Sequence, residues 1–146
     1  MGDRNIPFRA TSADPWTMVS DASTDKICYY RAGTETLLSV FNLTAIERKY
    51  SSSHRELLAI ERALINCSEL AHSETFYRSI YWLSDNMNLV RFLNKGSGIE
   101  RILDLIIRIL ELAKILRLDI IPVWTRRTDS RILKACLLYT SDAADE

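Results

Sequence analysis

The stretch YSSSHRELLAIERALINCSELA, residues 50–71, is where the chain changes its period. Leu57, Ile60, Leu64, Cys67 and Ala71 recur every three or four residues behind a run of serines able to cap a helix start, which predicts a helix over roughly 53–71. What precedes it reads as strand. Trp16–Ser20 (WTMVS) runs into the turn-rich Asp21–Asp25 (DASTD), Ile27–Arg31 is a second strand, and Glu35–Leu43 (ETLLSVFNL), beyond the turn at Gly33, is a third. Connections this short make the three an antiparallel meander.

Beyond the helix, Ser79–Ser84 (SIYWLS) is a fourth strand that ends at Asp85-Asn86. Met87, Val90, Phe92 and Leu93 then suggest a short helix closed by Gly96-Ser97-Gly98. From Ile99 to Leu118 the apolar positions 99, 102, 103, 106, 109, 110, 113 and 116 form one broad face opposite Arg101, Asp104, Arg108 and Glu111, a long amphipathic helix. Asp119–Thr125 (DIIPVWT) is the last strand, and Pro122, which has no N–H to give to a ladder, confines it to a sheet edge. The order predicts an α/β fold: a mixed five-stranded sheet, three antiparallel strands then two parallel ones reached by right-handed crossovers, flanked by helices. Ligands of such sheets gather at the carboxyl ends of the parallel strands.

With 146 residues, 47% of them apolar, the chain suits one domain, expected at 16–135 behind a polar lead-in over 1–15. The formal charge of zero conceals a mildly basic body, because residues 136–146 carry three acidic side chains and no Lys or Arg, leaving 19 basic against 16 acidic over 1–135. Cys28, Cys67 and Cys136 form no CxxC pair and no zinc spacing with His, so a reducing compartment, the cytoplasm, is expected. No apolar signal region or membrane span is legible.

Asp21 follows the first strand, Asp85 the fourth, and Glu56 opens the first helix. If strands one and four are neighbours, the three carboxylates converge at one end of the sheet. Like charges repel by kilocalories in a partly desolvated site, so such a cluster calls for cations. Hard oxygen ligands favour magnesium or manganese. Each residue also has a simpler reading: Asp21 as a turn aspartate, Glu56 as the partner of Ser53 in an S-H-R-E capping box, Asp85 as a helix N-cap.

The blocks VSDAS (19–23), YSSSHRELLAIERAL (50–64) and WLSDNMNLVRFLNKGS (82–97) resemble the three successive catalytic blocks of ribonuclease H domains in retrotransposon and retroviral polyproteins, of gypsy-, DIRS- or BEL-like elements, over about residues 16–135. The resemblance implies endonucleolytic hydrolysis of the RNA strand of RNA–DNA hybrids by two magnesium (or manganese) ions held by Asp21, Glu56 and Asp85. It also implies fusion to a reverse transcriptase domain within an intracellular retroelement particle. By the same resemblance Ser23 presents its backbone N–H to the RNA. Asn86 is a candidate contact to sugar or phosphate, and Arg126 and Arg127, with Arg131 and Lys134 nearby, are candidates for the hybrid backbone.

The family pattern has a fourth carboxylate, in an Ala-Asp pair at the start of a last helix. RTDSRILKA (127–135) leads into that position, and Cys136 stands there instead. Asp129, Asp142 and Asp145 are possible stand-ins without matching context. Residues 136–146, CLLYTSDAADE, show neither helical nor strand period and resemble the translation of a sequencing-library adapter, so they are read as a non-native tail, with the last helix missing. His54 and His72 are read as surface residues, and Trp16, Trp82 and Trp124 as core. The rival functional readings are a non-catalytic module binding nucleic acid or polymerase, and another nuclease of the same broad fold. Against an integrase stands the glutamate in the first helix.

Overall fold

β1 (Trp16–Ala22) and β2 (Lys26–Arg31) form an antiparallel hairpin, and β3 (Ser39–Asn42) extends it from β2. The computed structural model describes residues 15–33, 39–66 and 77–135. After a short 3-10 turn at Glu47–Lys49 come α1 (Ser52–Asn66), β4 (Arg78–Ser84), α2 (Met87–Lys95), α3 (Glu100–Ile115) and β5 (Leu118–Trp124). The sheet order is β3-β2-β1-β4-β5, with β4 parallel to β1 and β5 parallel to β4. Strands one and four are thus neighbours, and the proline-bearing strand lies at the edge as its missing donor requires.

Period-two alternation divides the sheet's side chains between two layers. On one face Met18, Ile27, Tyr29, Ile80, Trp82 and Ile120 meet Leu57 and Ile60 of α1 and Leu105 and Ile109 of α3. Trp82 is fully buried there, and its indole N–H donates to Ser20 Oγ at 2.8 Å, so the large ring enters the core without an orphaned donor. On the other face Val19, Cys28, Tyr30 and Leu83 meet Ile132 and Ala135 of the helical residues 130–135. Tyr30 Oη donates to Arg131 O at 2.7 Å and Cys28 Sγ to Ala135 O at 3.2 Å, fastening this helical segment to the sheet.

Several expected boundaries move for local reasons. β1 runs on through Asp21 and Ala22, so Asp21 is a strand residue paired with Cys28 rather than a turn residue. The long helix stops at Ile115. Arg117 takes a left-handed φ of 59° that costs a non-glycine residue about 1 kcal/mol, and Leu118, expected in the helix, opens β5 and is buried. The third strand is described only from Ser39 and the first helix only to Asn66; the remainder of both expectations, and His72, lie outside the described residues. His54 is not a surface residue. It is 6% exposed and stacked on the Tyr50 ring at 4.0 Å, and burial, with Arg101 and Arg108 nearby, lowers its pKa. Trp124 is 43% exposed and so is not core, because it ends the edge strand. Among the described residues no helix is long and apolar enough to cross a membrane.

Candidate metal centre

The parallel pairing of β1 with β4 brings the end of one strand and the exit of the other to the same rim of the sheet. Asp21 and Asp85 meet there, and the first turns of α1 aim Glu56 between them. One carboxylate oxygen of each lies within 4.8 Å of those of the other two. Asp21 and Glu56 are buried and Asp85 is partly so.

Helix capping decides which side chains are available for this cluster. Ser51, not Ser53, caps α1: its Oγ accepts the His54 N–H at 3.2 Å. That puts Glu56 beyond the capping position, so its carboxylate does not fold back on the helix start. Its Oε1 accepts from Ser84 Oγ at 3.2 Å and its Oε2 from Asn86 Nδ2 at 3.0 Å. Likewise Asn86, not Asp85, caps α2, its Oδ1 accepting the N–H groups of Asn88 at 2.9 Å and Leu89 at 3.2 Å. Both simpler readings of these carboxylates therefore fall to a neighbouring residue.

Burial is the chief reason the Glu56 pKa is pushed up to about 7. The charges of Asp21 and Asp85 add to it, while the Asn86 and Ser84 hydrogen bonds oppose it. Three acidic oxygens packed so closely, one of them raised into the neutral range, form a hard donor set short of positive charge. That chemistry fits a divalent cation.

An open cleft of about 360 Å³ borders the cluster, lined by Glu56, Asp85, Asn86, Arg127, Ser52 and Asn88, among others. Arg127 reaches in from the loop after β5 and sets Nη1 2.9 Å from Asp85 Oδ2. Asn86 has both ends of its amide engaged, since Nδ2 also lies 3.3 Å from Ser53 Oγ. Ser23 lies in the β1–β2 turn with its backbone N–H given to Lys26 O at 2.8 Å, and Arg126 is exposed on the β5 loop. Neither lines the cleft. Sequence reasoning missed Ser84, Ser52 and Asn88. Ser84, fully buried next to Asp85, was the most accessible of these, because a polar residue ending an apolar strand needs a partner.

Asp129 does not serve as a fourth carboxylate. Its oxygens take Arg131 Nε at 3.0 Å, Arg131 Nη2 at 2.9 Å and Thr125 Oγ1 at 2.9 Å, and Arg131 holds it well below the usual carboxylate range. Asp142 and Asp145 lie outside the described residues.

No protein-family model and no curated protein matches the sequence. Solved structures do. A ribonuclease H1 isolated from compost, LC11-RNase H1, superimposes with a TM-score of 0.65 at 14% identity, over 86% of this chain and 93% of that one. The same enzyme in complex with an RNA/DNA hybrid gives 0.60 at 12%, over 77% and 86%. RNase H1 of the archaeon Halobacterium salinarum gives 0.61 at 12%, over 85% and 98%. Identities this low speak to architecture alone, and the architecture is that of the ribonuclease H fold.

Proposed function

We propose that the chain is a ribonuclease H that hydrolyses the RNA strand of an RNA–DNA hybrid, with Asp21, Glu56 and Asp85 as ligands of two divalent ions, magnesium or manganese. The carrying observation is the meeting of three carboxylates from β1, α1 and the end of β4 within 4.8 Å. Divalent ions held there by Asp21, Glu56 and Asp85 would supply charge neutralisation at a phosphate and a water of lowered pKa. The chain's own contribution is positional. Ser84 and Asn86 fix the Glu56 carboxylate, the α2 cap holds Asn86, and the β1–β4 ladder sets the spacing of the aspartates. The cleft beside them, polar and open, suits a nucleic-acid backbone rather than an apolar ligand. LC11-RNase H1, which shares the fold, is seen bound to such a hybrid.

The likeness of residues 19–23, 50–64 and 82–97 to retroelement catalytic blocks favours a setting in reverse transcription, with a reverse transcriptase domain as partner. The family resemblance puts a fourth carboxylate at position 136, where this chain has Cys136. Ala135 O lies 3.2 Å from Cys28 Sγ, and Cys28 is the register partner of Asp21, so the chain leaves the described residues close to the cluster. The test is cleavage of a labelled RNA–DNA hybrid, with duplex DNA as control, in magnesium or EDTA. We expect the Cys136→Asp protein to cut only the hybrid and only with magnesium, and the further substitution Asp21→Asn to abolish cutting while leaving the circular dichroism unchanged. The alternative reading is a non-catalytic module that binds nucleic acid or polymerase. Hybrid binding without turnover in Cys136→Asp would establish it.

A further inference from the structure

The loop that follows β5 is pinned over Asp85 from both sides. Thr125 N–H donates to Ser84 O at 3.0 Å and Trp124 Nε1–H to Asp85 O at 3.3 Å. Asp129 N–H closes the loop on Arg126 O at 2.9 Å. Of the basic residues carried there, Arg131 is held by Asp129 and Lys134 lies over the Tyr30 ring at 5.1 Å. Arg127 is joined to the carboxylate cluster by an ion pair with Asp85, at 2.9 Å. The pair is unequal: the Arg127 side chain is 61% exposed and that of Asp85 only 11%. The carboxylate is the buried member of the pair, and the guanidinium is the exposed one.

We propose that Arg127 is an internal counter-cation that contends with a divalent ion for Asp85, and that on ion binding it turns to a phosphate of the nucleic acid in the adjoining cleft. This rests on the reading of the cluster as a metal centre. A guanidinium hydrogen-bonded to Asp85 neutralises much of that carboxylate, and its positive charge repels a second cation a few ångströms away. Coordination of the ion by Asp85 weakens the pair. The released fork faces a cleft whose other polar edges, Ser52 and Asn88, stand at the starts of α1 and α2, and a planar guanidinium suits a phosphate in two-point contact. Ion binding and nucleic-acid binding then favour each other, by the same factor in either order.

The primary test is Mn²⁺ binding to the full chain without nucleic acid, read by the loss of the free-ion paramagnetic resonance signal. Arg127→Ala should bind Mn²⁺ about fivefold more tightly than the parent, the scale of a half-exposed ion pair. Arg126→Ala removes the same charge from the same loop and should stay within about twofold. Equal or weaker binding by Arg127→Ala overturns the proposal, as does equal tightening by Arg126→Ala, which would make the effect one of net charge. Binding that Asp21→Asn abolishes and Arg127→Ala fails to tighten refutes the counter-cation alone. No Mn²⁺ binding by parent and Arg127→Ala alike removes the metal-centre reading with it. In a second arm, anisotropy of a labelled hybrid is read in Ca²⁺ and in EDTA. Ca²⁺ should strengthen binding to the parent several-fold more than to Arg127→Ala, and equal strengthening counts against the transfer to phosphate.

Discussion

Glu56→Gln should make the protein more stable in EDTA at about pH 8 and useless as a metal site. Glu56 is 4% exposed, and burial with two neighbouring carboxylates lifts its pKa from 4.5 to about 7. The sign follows from proton uptake. Between those two values the folded protein holds a proton that the unfolded chain has released, so stability falls as pH rises from 4.5 to 7 and stays depressed above. The gap corresponds to about 3 kcal/mol at alkaline pH and to less than about 1 kcal/mol near pH 5. Glutamine keeps the shape, can accept from Asn86 Nδ2 through its oxygen, and can turn its amide toward Ser84 Oγ and the aspartates, removing the charge without opening a cavity. The expected gain near pH 8 is thus up to about 3 kcal/mol, a rise in Tm on the order of 10 °C. Thermal unfolding by circular dichroism in EDTA at both pH values measures it. A pH-independent difference between the two proteins, or a Glu56→Gln protein less stable near pH 8, would refute the reasoning.

Divalent-ion affinity of the parent should fall roughly tenfold per pH unit below about pH 7, since Glu56 must lose its proton to coordinate; Mn²⁺ titrations across that range check it. Asn86→Ala removes the α2 cap and a donor that lowers the Glu56 pKa, so urea melts should show a loss of about 1–2 kcal/mol and the acid limb of Mn²⁺ binding should move to higher pH. Trp82→Ala should cost about 3–5 kcal/mol in the same melts, as the largest fully buried side chain, whereas Glu61→Ala, which breaks only the surface pair with Arg108, should cost under about 1 kcal/mol.

The sheet order and the three carboxylates were legible because each rests on local pattern plus one rule of connection. Alternation marks the strands, Pro122 marks an edge, and a crossover of this length must be parallel, which leaves Asp21 and Asp85 at the same rim. What could not be read were choices between adjacent residues of like kind. Residues 51–53 are all serine, and which one caps α1 depends on the phase that best buries Leu57 and Ile60, a tertiary matter. The same phase carries His54 inward onto Tyr50. Arg127 and Arg126 are indistinguishable in sequence, and the difference between them arises only when Thr125 pairs with Ser84 and turns one guanidinium toward Asp85.

Those adjacent choices carry the functional consequence. Had Asp85 capped α2 and Glu56 closed a capping box, both carboxylates would be tied to backbone N–H groups and turned away from Asp21. By giving the caps to Ser51 and Asn86, the chain keeps its helix starts and leaves the acids to one another. The mutual repulsion is then restrained by neutral donors, Ser84 and Asn86, on Glu56 and by an exposed cation, Arg127, on Asp85. Neutral donors orient a carboxylate without cancelling its charge, so the electrostatic deficit persists, and a divalent ion is the species best suited to fill it.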